Sequence, residues 1–150
     1  MTTMTDSRTI QAPQKLVFRT VSEIDHFSQA VPHITEVEFL TEERSGVGTR
    51  FRETRLMKGR EATTELEVAE YQPPERVRMV ADSHGTVWDS VFTVHPEGDS
   101  ASVLTLTMEG RPHKLLARIV NPLIAGAVKR ALADDMDAVK AYCEEQAKAT

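Results

Sequence analysis

RPHKLLARIVNPLIAGAVKRALADDMDAVKAYC, residues 111–143, contains one turn signal beyond Pro112, at Asn121-Pro122. Apolar residues recur through it at spacings of three and four: Leu115, Leu116, Ile119, Val120, Leu123, Ile124, Ala127, Val128, Ala131, Leu132, Met136, Val139 and Tyr142. That period predicts an amphipathic helix with one broad apolar face. Proline cannot donate a backbone hydrogen bond and clashes with the preceding turn, so Pro122 is predicted to kink this helix or to open a new one with Asn121 as N-cap. A helix of this length crosses a small domain. Its apolar stripe needs a partner surface, and the sixty or so residues before it have the pattern of a sheet.

From Ile34 onward the period changes from helical to alternating. Val37–Leu40 reads as a strand and Glu43–Gly48 as the loop after it. Turn chemistry then recurs at regular intervals, at Lys58-Gly59, Gln72-Pro73-Pro74, His84-Gly85 and Pro96–Asp99. Regular punctuation of this kind signals an antiparallel meander. A two-residue turn at Lys58-Gly59 sets Met57 opposite Arg60. Arg52 then faces Glu65 and Arg50 faces Glu67, each pair worth about 0.2–1 kcal/mol. On the other face Phe51 meets Leu66 and Thr49 meets Val68, and a slip of one residue would spoil both faces. Turning at His84-Gly85 aligns Val77, Met79 and Ala81 with Trp88, Ser90 and Phe92, leaving Arg76, Arg78, Asp82 and Asp89 outside. Leu104, Leu106 and Met108 point inward from the last strand. The sheet therefore has one apolar and one charged face, and the C-terminal helix is the cover of suitable length.

Before the sheet, residues 1–6 are expected to be a loose end and Ser7–Ala12 a short first strand. Pro13 suits the first position of a helix, with Leu16, Val17, Thr20 and Val21 on its apolar side. A second short helix turns Ile24, Phe27 and Val31 inward and closes at Pro32. Both are too short to stand alone and must dock.

A chain of 150 residues with 40% hydrophobic and 27% charged residues is most simply one soluble globular domain, spanning 1–150. The net charge of −5 and the lack of any long basic run argue against a nucleic-acid surface. No apolar run reaches the roughly 20 residues of a membrane span. The polar Met1–Arg8 stretch has no apolar core of the signal-peptide kind. A lone cysteine, Cys143, fits a reducing, cytoplasmic setting. The sequence leaves a homo-oligomer open.

The order of these pieces resembles the helix-grip fold of the START-like, Bet v 1-like (SRPBCC) superfamily, of the polyketide cyclase/dehydrase and lipid-transport type. The residues that carry the resemblance are Ile10-Gln11-Ala12-Pro13 with Val17-Phe18 and Val21, and Val31-Pro32-His33-Ile34 leading to Val37-Glu38-Phe39-Leu40. They continue in Gly46-Val47-Gly48-Thr49-Arg50-Phe51, Glu70-Tyr71-Gln72-Pro73-Pro74-Glu75-Arg76, and the strand from Trp88 to Pro96-Glu97-Gly98. The resemblance covers nearly the whole chain. It implies an α+β fold: a curved antiparallel sheet of about seven strands wrapped around a long C-terminal helix, with two short helices after the first strand. It also implies a hydrophobic cavity between sheet and helix, used in the family for lipids, polyketides and other apolar molecules. The family has no universal catalytic motif, so no catalytic residue carries over, and fold alone does not settle function.

The expected ligand wall comprises Phe51, Glu53, Arg55, Leu66, Met79, Trp88, Ser90, Phe92, Leu106 and Met108 from the sheet and Leu116, Val120 and Ile124 from the helix. Glu53 and Arg55 share the inward side of their strand, where they would form a polar pair orienting a ligand; the alternative is a place at the sheet rim, in water, or a bulge that reverses the alternation. Asp135 lies in the apolar sector of Val128, Leu132 and Val139. It would sit over the cavity with a raised pKa if desolvated, or in solvent if the helix runs past the sheet there. The aromatic and methionine cluster around Trp88 is either solid core or ligand wall. No histidine spacing suggests a metal, no nucleotide or hydrolase motif occurs, and no cofactor is expected. The expected function is binding, as carrier or sensor, of a small hydrophobic molecule. A polyketide cyclase or dehydratase using Glu53 is the enzymatic alternative, and an interaction module with a collapsed cavity is the third. Entry would involve the Glu43–Gly48 loop, the Ser83–Thr86 hairpin or the turns after Pro112.

Overall fold

The computed structural model describes residues 2–149. Strand β1 (Thr2–Ile10) is followed by helices α1 (Gln14–Ser22) and α2 (Ile24–Ala30). Six strands come next: β2 (Ile34–Phe39), β3 (Arg50–Met57), β4 (Arg60–Gln72), β5 (Arg76–Ser83), β6 (Thr86–Glu97) and β7 (Ala101–Pro112). Helix α3 (Leu115–Lys148) follows β7. The strands form one antiparallel sheet in the order β1-β7-β6-β5-β4-β3-β2. This is the helix-grip arrangement, a curved open sheet with a long helix and two short helices after the first strand.

The hairpin registers predicted from the sequence are the observed ones. Phe51 pairs with Leu66, Arg52 with Glu65 and Met57 with Arg60; Met79 pairs with Ser90 and Ala81 with Trp88. On the outer face Arg50 bonds Glu65 along the diagonal, while Arg52 meets Glu38 and Glu65 straight across. Lys58-Gly59 and His84-Gly85 both take positive φ at the two central positions, the turn geometry whose twist matches that of the flanking strands. The inner face carries the core. Phe51, Val77, Val94, Leu104 and Leu106 from the sheet are buried with Val17, Val21 and Val31 from the helical entry and Met136, Val139 and Cys143 from α3.

Three expectations are corrected. Thr2–Asp6 are no loose end: β1 runs from Thr2 to Ile10 and pairs with β7 along its whole length, Thr2 against Gly110 and Ile10 against Ser102. Met1 lies outside the described residues. The polar alternation of this segment, which gave no apolar signal, suits an edge strand with one side in water.

Helix α3 neither restarts nor takes an N-cap at Asn121. It runs unbroken from Leu115 through Pro122, and the Asn121 side chain is buried against Thr86, donating from Nδ2 at 3.1 Å. The third correction concerns the first half of α3, where Leu115, Leu116, Ile119 and Leu123 face solvent rather than the sheet. The helix docks by its second half, against β1 and the short helices.

The two free edges of the sheet are handled differently. Along β1, α3 supplies the partners: Arg8 donates to Asp137 at 2.8 Å and Lys140 to the Thr9 carbonyl at 2.6 Å. Just past the strand, the Gln11 amide donates to Glu144. Along β2 the exposed Glu36 and Glu38 discourage pairing with another strand.

Candidate functional site

Alternation along β3 to β7 turns one set of side chains toward α2 and the middle of α3. They do not pack solid: a cavity of about 270 Å³ remains, close to the lower end of ligand pockets at about 300–1,000 Å³. Phe51, Leu66, Met79, Trp88, Phe92, Leu106 and Met108 form its apolar sheet wall, with Ser90 as a hydroxyl among them. Ile24 and Phe27 of α2 close one side, and Val128, Ala131 and Leu132 of α3 close another. Phe27 and Phe92 meet across the cavity at 6.1 Å between ring centroids, a tilted aromatic pairing.

Trp88 owes its place to a glycine. A Cβ at Gly110, its partner on β7, would stand 2.7 Å from Trp88 Cζ3. The indole therefore lies over bare backbone, and any larger residue at 110 would force it to move.

One corner of the wall is charged. Glu53 and Arg55 leave β3 on the same side, and Asp135 comes down from α3 between Leu132 and Val139. Arg55 Nε donates to Glu53 Oε1 at 2.8 Å, and Arg55 Nη1 reaches both Asp135 oxygens, at 3.0 and 2.9 Å. Glu53 and Asp135 are 8% and 7% exposed, so neither a rim position nor an overhanging helix describes them. Burial pushes the Asp135 carboxyl above its ordinary range; the Arg55 charge opposes this and the Glu53 charge adds to it. Burial also opposes the Arg55 charge, but the two carboxylates outweigh it and hold the guanidinium above its usual value. A guanidinium has five N–H donors. Those at Nη2 are not engaged by either carboxylate, so a ligand oxygen has a donor to meet here.

Ten of the thirteen residues expected to form the wall line the cavity. Leu116, Val120 and Ile124 do not: Leu116 is 72% exposed, and Val120 and Ile124 lie at the helix surface. The helix enters the cavity one to two turns later, through Val128, Ala131, Leu132 and Asp135. Their spacing of three, four and seven was the available signal, hidden inside a longer stripe of the same period. Thr64 and Ser83 also line the cavity and had no signal, being ordinary polar residues of strands, Ser83 the last of β5.

The remaining candidates have structural partners. The Cys143 thiol is fully buried and donates to Thr20 Oγ1 at 3.4 Å, and burial raises its pKa, as suits a small apolar side chain rather than a nucleophile. His84 bonds Ser83 at the hairpin tip, and His113 bonds Asp82. Among the described residues no group of three histidine, cysteine or acidic side chains is placed to hold a metal.

Residues 1–144 match the family described as polyketide cyclase / dehydrase and lipid transport. The fold is similar to that of a START superfamily protein from Mycobacterium smegmatis, with 15% identity, a TM-score of 0.77, and 96% and 98% of the two chains covered. It is also similar to norcoclaurine synthase from Thalictrum flavum, solved in complex with dopamine and hydroxybenzaldehyde. There the identity is 17%, the TM-score 0.72, and the coverage 96% and 87%. The di-domain ARO/CYC protein BexL of the BE-7585A biosynthetic pathway matches at a TM-score of 0.78 and 16% identity, over 93% of this chain and 45% of that one. No functionally curated protein matches the sequence.

Proposed function

The chain belongs to the polyketide cyclase / dehydrase and lipid transport family, and from that premise we propose that it binds a small, mostly apolar molecule with one polar end. The observation that carries the reading is the cavity itself, apolar on the sheet side and charged at the Glu53–Arg55–Asp135 corner. Burying the ligand's apolar surface supplies the driving force, at about 25 cal/mol per Å². The corner sets orientation: Arg55 donates to a carbonyl or hydroxyl oxygen, and the carboxylates accept from a hydroxyl. Buried polar groups of this kind select strongly, because a ligand that leaves them unpartnered forfeits their desolvation cost. A cavity of about 270 Å³ suits one or two rings or a short chain.

Trp88 is the only tryptophan and stands in the cavity wall, so its emission reads occupancy directly. The test is a titration with the apolar fluorophore 1-anilinonaphthalene-8-sulfonate, repeated with Ala81→Phe, which fills the space beside Trp88. Binding by the natural chain and its loss in the variant are expected. Equal binding by both would place the apolar site elsewhere and end this reading. Native mass spectrometry with organic extraction then identifies a retained ligand.

A second reading, turnover of a polyketide-like substrate, is favoured by the raised Asp135 carboxyl in the cavity wall. A carboxyl whose pKa is raised binds its proton more readily and can deliver it to a leaving hydroxyl, and Glu53, on the other side of Arg55, is the candidate base. Under this reading Glu53→Gln and Asp135→Asn abolish turnover while the fluorophore still binds. Turnover that survives both substitutions excludes it.

A further inference from the structure

The first half of α3 presents an apolar face that none of the described residues covers. Leu115, Leu116 and Leu123 are 76%, 72% and 80% exposed, and Ile119, Val120 and Ile124 extend the same surface. The segment is held at its inner side only, by buried Ala117 and Asn121. Its charge is one-sided as well. Residues 112–133 carry Lys114, Arg118, Lys129 and Arg130 and no carboxylate, in a chain of net charge −5. All four cations are exposed, and among the described residues none forms an ion pair. Farther along, the same helix continues into the cavity wall at Val128, Ala131 and Leu132.

We propose that this half-helix is a docking surface for an anionic lipid bilayer, lying in the headgroup region with its leucines inserted and its cations against lipid phosphates. An exposed apolar face flanked by Lys and Arg without acidic residues has the composition of an interfacial helix, and anionic headgroups supply the matching charge. A second copy of the chain fits less well, because a two-fold interface would set the four cations against four identical ones. Among the described residues no helix is long and apolar enough to cross a membrane, so the contact is peripheral. It would place an apolar phase at one end of the helix whose next turns wall the cavity. The surface stands whether or not the cavity binds as proposed above.

The experiment is co-sedimentation of the full chain with vesicles of phosphatidylcholine alone and of phosphatidylcholine with phosphatidylglycerol at roughly 3:1. Binding to the mixed vesicles, weakened by salt and absent from the neutral ones, is expected. Each cation replaced, as in Arg118→Ala, should weaken it about fivefold. The pair Leu116→Glu with Leu123→Glu should weaken it by more than roughly tenfold, with thermal melting unchanged because both side chains are exposed. Failure to sediment with anionic vesicles, or equal sedimentation of the double variant, overturns the proposal. So does a wild-type dimer in analytical ultracentrifugation that the double variant dissociates, since the face then belongs to a second copy.

Discussion

Replacing Arg55 by Met removes the guanidinium between Glu53 and Asp135 and leaves two nearly buried carboxylates facing a cavity. Its two charge-assisted contacts, at 2.8 and 2.9 Å, are each worth about 1.5–3 kcal/mol, and breaking a buried pair by deleting one partner costs about 3–5 kcal/mol. The carboxyls have one escape, which is to take up protons. Holding a group of ordinary pKa near 4 protonated costs about 4 kcal/mol at pH 7 but about 1 kcal/mol at pH 4.5. Arg55→Met is therefore expected to lose about 3–5 kcal/mol at pH 7, a fall in Tm of roughly 6–20 °C for a chain of this length, and about 3 kcal/mol less at pH 4.5. Urea unfolding followed by far-ultraviolet circular dichroism at the two pH values measures both figures. Adding Glu53→Gln and Asp135→Asn to the variant should recover most of the pH 7 loss, since a charge-free replacement is often neutral or better. A loss below about 1 kcal/mol at pH 7, or one that does not change with pH, would refute the argument that these carboxylates depend on Arg55 for their burial.

Asp135→Asn tests the sign of the same balance. A carboxyl whose pKa is raised on folding, as here, stabilises the fold below its unfolded value and loses that contribution as pH rises through the folded one. The stability of Asp135→Asn relative to the natural chain should accordingly improve from pH 4 to pH 7, and a decline over that range contradicts the raised pKa. Asp89 runs the other way. Hydrogen bonds from Arg78 at 2.8 and 2.7 Å hold its pKa down against the opposing effect of burial, so Asp89→Asn should cost about 1.5–3 kcal/mol near neutral pH and progressively less in acid, as chemical denaturation will show. Gly110→Ala should displace the Trp88 indole into the cavity, shifting its emission and costing about 1–3 kcal/mol. An unchanged emission spectrum speaks against the close stacking.

The sheet was legible because each hairpin is specified twice over. At Lys58-Gly59 the turn, the Arg–Glu pairs outside and the Phe51–Leu66 pair inside all demand one register, and no alternative satisfies the three. Glu53 and Arg55 could be placed on the inward side by the same alternation, which is local. Whether they met anything there was not local: Asp135 is 80 residues from Arg55 in the chain, and no spacing encodes that meeting. Helix α3 shows the limit most plainly. Periodicity says that a face is apolar, not what covers it, and so one stripe was read as one contact. In the structure Leu132, Met136 and Val139 are buried while Leu116 and Leu123 are exposed. Asn121 misled for a related reason. Asn before Pro is capping chemistry in an isolated helix, but here Thr86 offers the side chain a buried partner that sequence distance conceals.

The way α3 seals the β1 edge carries a cost in time. Strand β1 is synthesised before its ladder partner β7, which lies about a hundred residues on, and the Arg8–Asp137 contact that caps its outer side spans 129 residues. Contacts this far apart in sequence require closing long loops before any reward is collected, which slows folding. At about 5–20 residues per second on the ribosome, β1 waits several seconds or more with its N–H and C=O groups open to other strands. The polar alternation of Thr3, Thr5, Ser7 and Thr9 keeps that waiting strand soluble. A sequence that is weakly apolar where it must wait, and strongly apolar only in the strands and helix made later, lets the chain hold β1 in reserve until its partner exists.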